Sequence, residues 1–285
     1  MLVTVPVSAA ERASGSFSAD KIDQAVAALT RWGLVVLADA VDPAHVAALR
    51  DSMLADLPRI LARSDAPYNF TASNVQQSPS RDPELLFRDV LFNEQAIAVT
   101  SRMLTGVVNA FYSGNTALPS AARQPVHYDS GHLWSDHLAP ANSLVINLPL
   151  VDMSSENGST ELWPGSHQVL PTWPVDGITI PSEALERRRF AYPPIQPTMR
   201  AGSLLIRDMR LWHAGMPNRT AEPRPMLAMV HHAGWLAQGE ASAFPSATRD
   251  FFTHPVLRTH AVFRDGPIDP SATDHPYAFA ASAQA

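Results

Sequence analysis

The chain has 285 residues, 46% of them hydrophobic, which is enough to bury a substantial core in one domain. A formal net charge of -6 with no Lys/Arg run argues against a nucleic-acid or anionic-membrane partner, and matches a small neutral or cationic ligand more readily. There is no cysteine, so disulfides, thiolate metal sites and thiol nucleophiles are excluded, and any metal must be held by His, Asp or Glu.

The first residues, MLVTVPVSAAERASGSF, lack the basic start and apolar centre of a secretory signal, and no segment is long and apolar enough to span a bilayer. A cytoplasmic protein, monomeric or homodimeric, is expected. The 25 prolines are spread along the chain rather than gathered in a linker, which suits one loop-rich domain.

Residues 18–32, SADKIDQAVAALTRW, place Ile22, Val26 and Leu29 at helical spacing behind a Ser18 N-cap, and Gly33 stops the pattern. The apolar run from Leu34 to Leu37 predicts a buried strand. Asp42 and Pro43 open a second helix carrying Val46, Leu49, Met53 and Leu57, and Pro83 opens a third that runs towards Leu104. From Val107 the texture changes to short apolar runs, VVNAFYS, SLVINLPLV, GSLLIRD and PMLAMVHHAGW, separated by Gly, Pro, Asn and Ser clusters. Strands that follow helices without strict alternation disfavour a doubly wound parallel sheet. The expected class is mainly β with flanking helices, a sandwich of jelly-roll type. A helical part at about 18–105, a jelly-roll core at about 107–235 and a C-terminal extension to residue 285 would form a single domain.

The stretch QPVHYDSGHLWSDH, residues 124–137, concentrates candidate metal ligands. If residues 124–130 are extended, His127 and Asp129 project to the same face and one cation can reach both. A third ligand is needed, and the best candidate is His213 in RAGSLLIRDMRLWHAG, where a strand leads through a turn to an aromatic-flanked histidine. Two histidines and one carboxylate with open positions make the facial triad of non-haem Fe(II) oxygenases. A lone His-x-Asp pair is more often a hydrogen-bonded loop pair than a ligand pair. His132, His137, His167, His231 and His232 read as structural or pocket residues.

These residues, taken with other ordered blocks, resemble the phytanoyl-CoA dioxygenase family of Fe(II)- and 2-oxoglutarate-dependent oxygenases. The blocks are RWGLVVLADAVDPAHVAALR from residue 31, QPVHYD, ENGSTELWPGSH at 156–167 and RAGSLLIRDMRLWHAGMPNRTAEPRPML at 200–227. The resemblance implies a double-stranded β-helix, with His127, Asp129 and His213 binding Fe(II), and 2-oxoglutarate and dioxygen as co-substrates. It places Arg224 on the distal carboxylate of 2-oxoglutarate, with Arg219 and Arg207 as competing choices. A planar, permanently charged guanidinium suits a carboxylate through two parallel hydrogen bonds. Gln124 and Thr160 would lie near the metal-bound end of the co-substrate as donors, Thr160 being equally readable as an ordinary strand residue. Asn157 and Gly158 form a tight turn.

Asn74 sits where similar enzymes form part of the substrate mouth. Asn147 could touch substrate or be a satisfied core asparagine, and Trp134, Tyr112, Phe70, Trp163 and Trp212 could line a pocket or fill the core. Asp129 disfavours halogenation, because halogenating relatives have a small residue there. A coenzyme A thioester would call for a basic surface, so a free small molecule, such as a secondary metabolite, is the expected substrate, hydroxylated at an unactivated C–H bond. A Zn(II) or Mn(II) hydrolase or isomerase, and a non-catalytic binding module on the same fold, remain alternatives.

Overall fold

The computed structural model describes residues 2–272, 274 and 276. The chain opens with strand β1 (Thr4–Pro6) and the short helix α1 (Ala9–Ser14), and then forms α2 (Ala19–Trp32). Ser18 caps α2 by accepting a hydrogen bond from the Lys21 backbone N–H, and Gly33 ends it by donating to the Leu29 carbonyl. Strand β2 (Leu34–Ala38) leads to α3 (Pro43–Leu61), where the Asp42 side chain accepts from the Ala44 N–H and Pro43 occupies the first turn.

The next strands, β3 (Tyr68–Asn69) and β4 (Thr71–Gln76), carry no long apolar run and are not expected from the sequence. The predicted third helix is instead broken into α4 (Arg88–Leu91) and α5 (Glu94–Met103). Asn93 divides them: its side chain accepts from the Ala96 N–H as the N-cap of α5 and donates to the Ala40 and Asp89 carbonyls. A short polar side chain that binds nearby backbone in this way competes with continuous helix.

The remaining elements are β5 (Val108–Ala117), β6 (Ser143–Pro149), β7 (Glu161–Leu162), α6 (Ser182–Ala191), β8 (Leu204–Asp208), β9 (His213–Ala214), β10 (Arg224–His232), β11 (Ser242–Pro245), β12 (Arg258–Thr259) and β13 (Ala261–Arg264). The major sheet has the order β1-β2-β8-β6-β10-β5-β4-β3, with β12 added beside the start of β5. Facing it is a small layer made by the β7–β9 pair, extended by bridges from His127 to His213 and to Thr179 and from Leu162 to Ile195. Two facing layers of this kind are the expected jelly roll.

Alternation along the central strands determines what each side of the major sheet does. Val35, Leu37, Leu204, Ile206, Ile146, Leu148, Leu227 and Met229 face the helical side and join Leu29, Val46, Leu49, Met53 and Ile97 in the principal core. Leu34, Val36, Leu205 and Met226 point the other way and pack with Met153, Leu162, Met199 and Leu211. The helices therefore cover one face, and the small layer closes over the other. No described helix is long and apolar enough to cross a membrane.

Candidate metal centre and active site

The small layer and the major sheet enclose a cavity of about 270 Å³. From the small layer come His127, Asp129, Thr160, Ile178, His213 and Gly215, and from the major sheet come Arg207, Asn147, Asn115 and the inward-facing residues of β10. His127 and His213 are bridge partners, each backbone N–H donating to the other's carbonyl at 2.9 and 2.8 Å, so their side chains leave the layer side by side with ring centroids 4.3 Å apart. Asp129 follows two residues after His127. The turn between β8 and β9 that delivers His213 is closed by the Leu211 N–H donating to the Asp208 carbonyl. It is braced by Arg210, whose Nε and Nη2 bind the two Asp208 carboxylate oxygens at 2.9 and 2.7 Å.

The three side chains converge. One ligand atom of each lies within 4.8 Å of the others, with Asp129 Oδ1 3.5 Å from His213 Nε2 and 4.0 Å from His127 Nε2. Each imidazole donates Nδ1–H to a carbonyl two residues earlier in its own chain, His127 to Pro125 and His213 to Leu211, both at 2.9 Å. A carbonyl can only accept, so the proton sits on Nδ1 and the Nε2 lone pairs are turned towards Asp129. Burial, followed by the neighbouring His213, lowers the His127 pKa to about 3, which keeps the ring neutral and able to ligate. Asp129 keeps 30% of its side-chain surface accessible because that surface faces the cavity. Burial opposes its charge, but the Arg207 guanidinium and then His213 override this and hold the carboxyl well below its usual range.

The donor set suits a divalent cation with N/O preference. Two imidazoles and one carboxylate gathered on one side leave coordination positions open towards the cavity.

Arg224, at the start of β10, lines the same cavity and is among the largest fully buried side chains. Its Nε donates to the Asn157 carbonyl at 3.1 Å and its Nη1 lies 3.8 Å from Met226 Sδ. Among the described residues no carboxylate pairs with it, and burial lowers its pKa to about 10. The ENG turn that supplies Asn157 needs Gly158, which has φ +78° and whose missing Cβ would sit 2.6 Å from the Met216 carbonyl oxygen. Thr160 lines the cavity. Gln124 also lines it, its amide nitrogen donating to the Asn69 carbonyl at 3.1 Å and its Oε1 accepting from the Gly215 N–H at 2.8 Å; one amide hydrogen remains for a ligand. That clamp explains Gly215, whose Cβ would lie 2.6 Å from Gln124 Oε1.

Asn74 is buried in the cavity wall with Oδ1 unpartnered, and Asn147 lines the wall while accepting from Arg207 Nε at 3.2 Å. Phe70 lies across His127, ring centroids 4.4 Å apart. Two expected pocket residues lie elsewhere. Tyr112 points to the helical side of β5, into the principal core beside Arg81 and Phe244, because its neighbour Phe111 takes the inward position. Trp134 is 47% exposed on a loop, stacked on His137. Trp163 and Trp212 are buried behind the small layer with Val126 and Ile180. His132 and His137 lie outside the cluster: His132 Nε2 donates to the Val169 carbonyl, and His137 pairs with Asp136 at the surface.

Arg219 is exposed, whereas Arg207 reaches the cavity. Asn115, Gln76, Phe111 and Ile178 were not singled out from the sequence. Asn115 and Phe111 are fixed as inward positions only by the register of β5 on β10, opposite Met226 and Val230.

Curated relatives include uncharacterized proteins of Mycobacterium bovis and Mycobacterium tuberculosis, each 25% identical over 221 residues and covering 74% of both chains. Among solved structures, the epimerase SnoN in complex with Fe3+, alpha ketoglutarate and nogalamycin RO superposes with TM-score 0.60 at 17% identity, over 91% of this chain and 99% of that one. AviO1 from Streptomyces viridochromogenes gives 0.59 at 20% identity over 79% of this chain and all of that one. EctD from S. alaskensis with 2-oxoglutarate and 5-hydroxyectoine gives 0.56 at 19% identity over 76% of each. These likenesses show the double-stranded β-helix fold. The model of the phytanoyl-CoA dioxygenase (PhyH) family matches residues 29–226, which include every ligand of the His-Asp-His cluster and Arg224, and the chain belongs to that family of non-haem iron, 2-oxoglutarate-dependent enzymes.

Proposed function

We propose that this protein uses Fe(II) and 2-oxoglutarate to hydroxylate an unactivated C–H bond of a small molecule. The observation that carries this reading is the pairing, in one cavity, of a converging His-Asp-His cluster with a fully buried guanidinium that has no acidic partner among the described residues. A buried charge without a partner is costly, and a carboxylate-bearing ligand supplies what is missing.

In this reading His127, Asp129 and His213 hold the metal through Nε2, a carboxylate oxygen and Nε2. Arg224 receives the distal carboxylate of 2-oxoglutarate, and its orientation is set by the Asn157 carbonyl. The free amide hydrogen of Gln124 and the Thr160 hydroxyl serve as donors to the carboxylate beside the keto group. Phe70 covers the His127 side of the centre and excludes water from it. With dioxygen, the bound iron and co-substrate supply oxidation of a C–H bond, leaving succinate and carbon dioxide beside the hydroxylated product. The protein contributes orientation, charge balance and shielding. Asp129 supplies a carboxylate ligand, which favours hydroxylation over halogenation.

The test is an anaerobic titration of apoprotein with Fe(II) and then 2-oxoglutarate, followed by its visible metal-to-ligand charge-transfer band. A band that decays on admitting air, with formation of succinate, supports the reading. Folded protein giving neither band nor succinate moves the function to a Zn(II) or Mn(II) enzyme or a binding module.

A further inference from the structure

We infer that Arg207 anchors a carboxylate of the substrate, so that the substrate class is a small carboxylic acid with an apolar body. This rests on the oxygenase reading above and adds the substrate to the same cavity.

The strand registers divide the cavity into rungs. At one end Arg224 pairs across β5 with Ala117, which pairs with Asn74 on β4. At the other end Arg207 on β8 pairs with Val145, Val145 with Val230, and Val230 with Phe111, forming one continuous row across four strands. Arg224 and Val230 are six residues apart on β10, about 20 Å at roughly 3.3 Å per residue, so the two guanidinium-bearing rungs mark opposite ends. The co-substrate belongs to the Arg224 end. What remains is the Arg207 end, whose other walls are Phe111, Val145, Val230, Ile178 and Met209.

Among the described residues of that apolar end, Arg207 is the only ionic group not assigned to the metal. Its side chain is 7% exposed; Nη2 donates to Asp129 Oδ2 at 2.7 Å and Nε to Asn147 Oδ1 at 3.2 Å, while Nη1 is buried with no partner. A guanidinium offers five donors in a planar fork, and the Nη1 arm has no acceptor among the described residues. Charge balance selects the acceptor. Of the charged side chains lining the cavity, two are arginines and one is Asp129. A divalent cation and a dianionic co-substrate cancel, so one positive charge is left over, and a monocarboxylate neutralises it. The local sign is thus opposite to the chain's net charge of -6, which on its own pointed to a neutral or cationic ligand. The cavity of about 270 Å³ lies at the small end of ligand sites, which run from roughly 300 Å³, so the apolar body is compact.

The experiment uses the anaerobic Fe(II)·2-oxoglutarate complex of the full chain and follows its visible band while adding phenylacetate or hexanoate, each compared with its primary amide. The expected result is a saturable shift with the acids and binding at least about tenfold weaker with the amides, the loss of a charge-assisted hydrogen bond. In Arg207→Met the preference for acid over amide disappears. Equal affinity of acid and amide, no shift with either, or loss of the band through displacement of 2-oxoglutarate overturns the assignment and leaves Arg207 as a positioning residue for Asp129. Should Arg207→Met lose the metal, the wild-type comparison of acid with amide still decides. If the band never forms, the oxygenase reading itself falls and takes this one with it.

Discussion

Arg224→Met is expected to move folding stability and co-substrate affinity in opposite directions. Burial lowers the Arg224 pKa to about 10, with no carboxylate among the described residues to offset it. At about 1.4 kcal/mol for each tenfold change in proton affinity, this amounts to roughly 3 kcal/mol of uncompensated charge burial. Methionine is apolar and flexible enough to fill much of the same space, and it forfeits the hydrogen bond to the Asn157 carbonyl, worth about 1 kcal/mol. The metal-free variant should therefore gain about 1–2 kcal/mol in urea unfolding. Its affinity for 2-oxoglutarate should fall by about 2–5 kcal/mol, roughly 30- to 4,000-fold, in an anaerobic titration of the charge-transfer band. An unchanged 2-oxoglutarate midpoint would refute the assignment and hand the distal carboxylate to Arg207, and a clear loss of stability would show that the guanidinium is not a net burden in the free protein.

Other substitutions probe the rest of the site. Asp129→Ala removes the only carboxylate of the cluster, and Fe(II) affinity measured by competition with a fluorescent chelator should drop more than about 100-fold, beyond the effect of losing merely an outer partner of a ligand; normal binding would exclude Asp129 as a ligand. Gly158→Ala forces a Cβ at φ +78° against the Met216 carbonyl and should cost about 1–3 kcal/mol in thermal unfolding, so an unaltered Tm would contradict the turn described here. His231 lies outside the site, bonded to the Thr100 hydroxyl at 3.0 Å, with its pKa lowered from 6.5 to about 3 by burial and then by His232. Below its unfolded pKa the unfolded chain takes up a proton that the folded chain refuses, so this histidine costs stability as pH falls. Between pH about 6 and 4 the stability advantage of wild type over His231→Gln should shrink by up to about 1.4 kcal/mol per pH unit, and a difference independent of pH would show that His231 is protonated in the fold.

The features legible in the sequence were those that depend on neighbours along the chain. Ser18, Gly33, Asp42 and Pro43 act on helix ends within four residues, and the apolar runs of β5, β6, β8 and β10 announce themselves without knowledge of their partners. The i, i+2 spacing of His127 and Asp129 marked the pair, although only His127 makes bridges and no strand runs through residues 124–130, and His213 followed from the need for a third ligand. Features that depend on register were not legible. Choosing Tyr112 over Phe111 as a pocket residue is an error of one position, enough to send a side chain to the opposite face of the sheet. Arg207 and Arg219 were competing choices to Arg224 in the sequence, and only the placing of β8 beside β6 brings Arg207 into the cavity wall. Asn93 breaks a helix that its neighbours favour, because its side chain finds the Ala40 carbonyl 53 residues away. Trp134 lies on a loop with no regular pattern, and such a segment gives no face to assign.

The imidazoles of His127 and His213 are both oriented by carbonyls two residues back in the chain, Pro125 and Leu211. Orientation written into the backbone is indifferent to what side chains surround it. The remainder of the cavity wall can accordingly be refurnished over evolutionary time, one inward position after another on β5, β6 and β10, while the aim of the two nitrogen ligands stays the same. Laboratory redesign for a new substrate has the same freedom at Phe111, Val145 and Val230, and meets its constraint at Arg207, where a wall residue and a ligand are tied together.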